Sequence, residues 1–162
     1  MTVSLLAIGG VLLSMGVSTR LNEASSETTS AYAAAESTLE RLRSTQFDEL
    51  FARFNADPAD DPDGAGTAAG ADFAVVGLEP QPGDADGLAG RILFPVVDGA
   101  PGVLREDVDL IGRLIDLDVD GAIDGADKSG TYDVLPVEVR VDWIGDGEPR
   151  SVEIQTVIVR PL

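Results

Sequence analysis

Neither cysteine nor histidine occurs anywhere in the chain. No disulfide can hold the fold, and no thiolate or imidazole metal site can form. Secreted proteins also occur without disulfides, so the compartment stays open on this ground. The lack of histidine removes the commonest general base and excludes a Ser-His-Asp triad. Acid–base chemistry would fall to carboxylates, lysine or tyrosine. Basic residues are scarce as well: Lys plus Arg number 11 against 29 Asp plus Glu, a formal net charge of -18. Such a surface repels phosphates, so nucleic acid is not expected as a partner, and cations are favoured. With carboxylates this abundant, the nearness in sequence of any two carries almost no information about catalysis. The acidic residues recur in loops from Asp57 to Asp146 rather than forming one tail, which suits a solvated surface or metal loops. The 162 residues suffice for one modest domain plus an additional helix.

What the chain does have begins with an uncharged run, VSLLAIGGVLLSMGV, from Val3 to Val17. It falls short of the roughly 20 apolar residues of a spanning helix. No basic region precedes it, so it is a poor secretory signal as it stands. Three readings remain: a truncated membrane helix, which is the favoured one, a buried core helix, or an unusual signal peptide. Gly9, Gly10 and Gly16 weaken a helix in water but are tolerated in apolar membrane helices.

No proline or glycine interrupts the chain between Val17 and Phe54. Leu21, Thr28, Ala35 and Leu42 recur every seven residues. Tyr32 and Leu39 lie on the neighbouring ridge, and Leu50, Phe51 and Phe54 close the stripe, a helical period with one apolar face. The expectation is one helix of about 50 residues, comprising an apolar membrane-helix segment over 1–19 and an amphipathic continuation over 20–54. Pro58 and Pro62 forbid its continuation, and Gly64, Gly66 and Gly70 keep the adjoining stretch irregular.

Beyond that loop the period becomes alternating. Short strands are expected near Phe73–Val76 and Arg91–Val97, with QPGDADGLAG between them as loop. The clearest strands come last. Leu135, Val137, Val139, Val141 and Trp143 alternate with a second set, and Val152, Ile154, Thr156 and Ile158 do the same after Asp146–Gly147, a tight-turn signal. The predicted class is α+β: a long N-terminal helix packed on a small antiparallel β-sheet, with residues 55–162 forming an acidic, β-rich outer domain. Leu39, Leu42 and Leu50 are expected against Val137, Val139, Val141, Ile154 and Ile158.

The sharpest local motif is DLDVDGAIDGAD, Asp116 to Asp127. Asp116, Asp118 and Asp120 fall at loop positions 1, 3 and 5. Gly121 stands at position 6, where the chain turns sharply, and Ile123 at the apolar position 8. Asp124 and Asp127 hold positions 9 and 12, and the carbonyl of Ala122 would serve at position 7. This is the spacing of an EF-hand-type Ca²⁺ loop, in which a hard cation gathers six to eight oxygens. Position 12 is Asp rather than Glu, as in dockerin repeats. REDVDLIGRL before the motif has the make-up of a short entering helix, and KSGTYDV after it does not resemble an exiting one. ADDPDG and GDADG, at Asp60–Gly64 and Gly83–Gly87, are fragments without a full ligand set.

The order of parts resembles the type IV pilin and type II secretion pseudopilin superfamily, specifically over residues 1 to 54 and only architecturally beyond. AIGGVLLSMGVSTRLNEASSETTSAYAAAESTLERLR is similar to the helix of minor PilV-like and I-type pseudopilins. The resemblance implies a non-enzymatic filament subunit with no catalytic residue. It implies a single pass in the bacterial inner membrane, an outer domain that is periplasmic or extracellular, and other pilin or pseudopilin subunits as partners through the N-terminal helix. It also implies Ca²⁺ in a loop of the C-terminal region, in agreement with the place of Asp116 to Asp127. The family's basic leader and Phe-Thr-Leu-x-Glu start do not precede this run, so the expectation is a chain that opens partway into its apolar helix. The alternative reading is a soluble calcium-binding interaction module of a secreted or cell-surface protein, dockerin-like, with the helix as core.

Overall fold

The computed structural model describes the backbone of residues 2–161 and the side chains of 23–161. Helix α1 runs Thr2–Ser44. The apolar segment Val3 to Val17 lies outside the described side chains, so the membrane expectation for it is untouched. Among the described residues no helix is long and apolar enough to cross a membrane.

The single helix expected to reach Phe54 is instead two. The Ser44 and Thr45 hydroxyls both donate to the Arg41 carbonyl, at 2.9 Å each, which gives the backbone of the last turn an alternative to continuing. Gln46 then adopts extended dihedrals, and α2 starts afresh as Phe47–Phe54. The break has a packing consequence, because it turns Phe47, Leu50, Phe51 and Phe54 together into the core. On α1 the buried stripe is Ala31, Ala35, Leu39 and Leu42. Tyr32 is 48% exposed, so the face is narrower than its sequence pattern and centred on alanines that let the sheet approach closely.

Among the described residues seven strands come after the helices: β1 (Asp72–Phe73), β2 (Glu79–Pro80), β3 (Gly90–Leu93), β4 (Val96–Val97), β5 (Ala100–Leu104), β6 (Val134–Gly145) and β7 (Glu148–Val159). All pairings are antiparallel. The class is therefore α+β, although the β part is a five-stranded sheet and a separate β4–β5 pair rather than one small sheet. Strand β6 is the hub. Strand β7 pairs with it along its whole length, β3 pairs with Glu138 to Val141, and β2 with Trp143 and Ile144. Pro136 lies before the stretch that β3 pairs, where its missing N–H interrupts no second ladder. Strands β2 and β5 lie where the sequence offers no alternation, and Pro95 separates β3 from β4 within what reads as one strand.

The β6–β7 connection is a two-residue turn with φ of 53° at Asp146 and 78° at Gly147. Positive φ at both central residues is the type I′ geometry, which matches the strands' right-handed twist. Alternation then puts Val137, Val139, Val141 and Trp143 on the inner face of β6, fully buried under α1, with Ile154 and Ile158 of β7 partly buried beside them. Leu39, Leu42 and Leu50 belong to that same cluster. At its far end the Trp143 indole N–H donates to Glu27 Oε2 on α1 at 3.2 Å, and Arg150 pairs with the same oxygen at 3.3 Å. At the near end the Tyr132 hydroxyl donates to the Phe47 carbonyl at 2.7 Å and accepts from the Phe51 N–H at 3.3 Å, tying α2 to the entrance of β6.

Candidate cation site in the acidic loop

Between β5 and β6 the chain runs through residues 105–133 without helix or strand. The stretch Arg105 to Leu114, whose composition suits a short entering helix, forms turns and bends. Nine acidic residues face three basic ones over this span. The loop is laced to the sheet by its backbone. The Lys128 N–H donates to the Leu104 carbonyl at 2.9 Å, and the N–H groups of Asp133 and Val134 share the Leu117 carbonyl at 2.7 and 2.9 Å. Leu117 is fully buried and anchors the motif. Ile123, expected as the apolar anchor, is 43% exposed, so the anchoring has moved to the second position of the motif.

Inside the motif every carboxylate except that of Asp118 satisfies local backbone. Asp116 accepts from the N–H groups of Asp120 (3.2 Å) and Gly121 (2.8 Å). Asp120 accepts from Ala122, Asp124 from Ala126 and Asp127 from Ser129, at 2.8, 2.8 and 2.9 Å. These are Asx-type turns, in which a short polar side chain mimics a backbone turn. Gly121 has φ of 90°, the conformation anticipated for the sharp bend at position 6, and Val119 is held at 57° in a region unfavourable for a β-branched residue.

Of the sequence-predicted ligands, Asp116 and Asp118 converge, and a residue outside the motif joins them. One carboxylate oxygen from each of Glu106, Asp116 and Asp118 lies within 4.8 Å of the others. The carboxylates of Asp120, Asp124 and Asp127 are not in that group. Glu106 directly succeeds Arg105 at the end of β5, and its side chain is fully buried. It accepts from the N–H groups of Leu117 (2.8 Å) and Asp124 (3.0 Å), and so clamps both halves of the motif. Asp118 Oδ1 is enclosed and has no hydrogen-bond partner. Three convergent carboxylates with an unsatisfied oxygen form an all-oxygen donor set, which suits hard cations rather than soft ones.

The second residue beyond the motif's reading is Lys128. Its side chain is 7% exposed, with Nζ 2.8 Å from Asp118 Oδ2, 3.5 Å from Asp124 Oδ1 and 3.7 Å from Glu106 Oε2. The hydrogen bond to Asp118 holds the ammonium well above the usual lysine range, and the same bond holds the Asp118 carboxyl below the usual carboxylate range. Beside it Arg105 pairs with Asp107. The fragments elsewhere are spoken for. Asp84 and Asp86 pair with Arg91, and Asp61 and Asp63 with the Ala68 N–H and Arg53.

No signal within the twelve-residue window points to Glu106, ten residues before it. Compared with family models, with curated proteins and with solved structures, the chain has no match.

Proposed function

We propose that the chain is a non-enzymatic, pilin-like structural subunit of a bacterial filament of the type IV pilus or type II secretion kind, with a calcium-stabilised outer domain. The observation that carries this reading is the one-sided docking of α1. Its Ala31–Ala35–Leu39–Leu42 stripe packs on β6 and β7, while Tyr32, Ala33, Glu36 and Glu40 leave the other face open. A long helix that lends only one face to its own sheet can offer the other to neighbouring helices. In this reading the segment up to Thr19 sits in the inner membrane, the acidic domain lies outside the cytoplasm, and other pilin-like subunits are the partners.

Calcium enters through Glu106, Asp116 and Asp118, with Asp120, Asp124, Asp127 and the Ala122 carbonyl completing the shell as the loop adjusts. Calcium accepts such flexible oxygen shells of six to eight ligands, whereas Mg²⁺ demands a smaller octahedron and sheds water reluctantly. The ion's role is structural, pinning the chain that enters β6.

Because the chain has no cysteine, one introduced thiol is unique. Tyr32→Cys on the open helix face should cross-link to neighbouring subunits in cells, and Arg91→Cys on the outer sheet should not. Equal cross-linking of the two, or none at Tyr32→Cys, would remove the filament reading.

A further inference from the structure

Lys128 is the one lysine in a chain of net charge -18, and its ammonium is enclosed among carboxylates. Surface lysines are normally the solvating residues of an acidic protein, so burying the only one calls for a reason. It comes directly after Asp127, the last position of the loop motif. Its Nζ approaches Asp118, Asp124 and Glu106 within 3.7 Å. Asp118 and Glu106 are also two of the three carboxylates that converge as a cation site. An ammonium and a divalent ion would therefore draw on the same oxygens and repel each other at close range. The bonding of Asp118 bears separately on the exchange. The Lys128 hydrogen bond goes to Asp118 Oδ2, while Oδ1 of the same carboxylate stays enclosed and unpartnered. The pairing thus leaves an enclosed oxygen unsatisfied, and such an atom is stabilised by gaining a ligand.

We propose that Lys128 is a tethered internal cation that closes the acidic loop and competes with calcium for it, so that calcium binding expels the ammonium into solvent. This rests on the calcium reading above and adds to it. The ion-free loop is closed by an ion pair rather than held open by repulsion among its carboxylates. Calcium affinity is set by the fraction of molecules in which Nζ has already left.

Two measurements on the full chain test it. The first uses the unaltered protein. An amine-acylating reagent can modify only Lys128 and the α-amine, and mass spectrometry separates them. Acylation of Lys128 should be slow in EDTA and rise by about tenfold or more with saturating Ca²⁺, as the exposed fraction grows. The second is calorimetric titration with CaCl₂. Lys128→Met should bind calcium at least about tenfold more tightly than the parent, because no fraction is lost to the closed form. Lys128→Arg should stay near the parent value. Should Lys128→Met fold only with calcium present, the acylation arm still decides. Calcium heat without any change in acylation, or equal affinities for Lys128→Met and the parent, overturns the competition and leaves the calcium reading standing. No heat with either protein overturns the calcium reading itself, and the competition with it.

Discussion

The α1–β6–β7 layer and the 105–133 loop are held together by opposite means. In the layer, apolar side chains repeat with the periods of helix and strand, and backbone groups satisfy one another along a twelve-residue ladder. In the loop there is no ladder. Carboxylates of Glu106, Asp116, Asp120, Asp124 and Asp127 accept the backbone N–H groups, and Lys128 pairs with those of Glu106 and Asp124 as well as with Asp118. The first region should respond to lost volume and be indifferent to ions. The second should respond to counter-charge, and to lost volume only where Leu117 and Tyr132 reach into the core.

The largest effect should come from the layer. Leu42 is fully buried against the sheet, so Leu42→Ala should cost about 2–5 kcal/mol in urea unfolding, the usual range for a large-to-small core change. That loss should be the same in EDTA and in calcium. A cost below about 0.5 kcal/mol, the range of surface sites, would mean that Leu42 is not held in this core in solution.

Next comes the loop. Melting the full chain in EDTA, in millimolar Mg²⁺ and in millimolar Ca²⁺ should show a gain with calcium alone, reaching about 2.7 kcal/mol at one hundred times the dissociation constant. Asp120→Ala should erase the calcium-specific gain with little change in EDTA, since Asp120 otherwise serves only the Ala122 N–H. Identical melting in all three solutions would leave the loop a purely structural turn.

Tyr132 joins the two regions, and its hydroxyl is buried between Phe47 and Phe51. Tyr132→Phe should cost about 0.5–1.5 kcal/mol, because the Phe47 carbonyl and Phe51 N–H each lose the bond that ties α2 to Tyr132. Burial, chiefly, raises the phenol above its usual value of 10.0. The folded state therefore holds this proton more tightly than the unfolded one. Its contribution is complete below about pH 10 and is lost as pH climbs through the raised folded value. Urea midpoints followed into that alkaline range should fall less steeply for Tyr132→Phe. Parallel curves would show that other groups govern the alkaline loss.

The smallest effect belongs to neither region. Glu49 and Arg53 pair one turn apart on the outer side of α2 at 2.8 Å. Glu49→Gln should change stability by less than about 1 kcal/mol and by still less in high salt. A larger loss would mark this end of α2 as part of the core's support.

The same contrast decides what the sequence made legible. The β6–β7 hairpin could be read because alternation and Asp146–Gly147 are local signals of one geometry. The helix stripe was legible in Ala35, Leu39 and Leu42. Its break at Thr45 was not, since two hydroxyls bonding to the Arg41 carbonyl leave no trace in hydrophobic period. In the loop, Asp116, Asp118 and Gly121 could be placed from spacing. Glu106 could not, because it reaches the motif through the end of β5, and the ammonium that meets it belongs to a residue whose type alone suggests solvent.

Trp143 is the one tryptophan, and it is buried under α1 with its indole N–H on Glu27. It lies nine residues along β6 from Val134, roughly 30 Å from where the acidic loop joins that strand. The molecule thus carries a natural fluorophore at the seam between helix and sheet, far from its cation-sensitive end. Its emission should shift to longer wavelength when α1 lifts from the sheet and stay constant while the loop exchanges ions, so one spectrum can separate undocking of the helix from rearrangement of the loop.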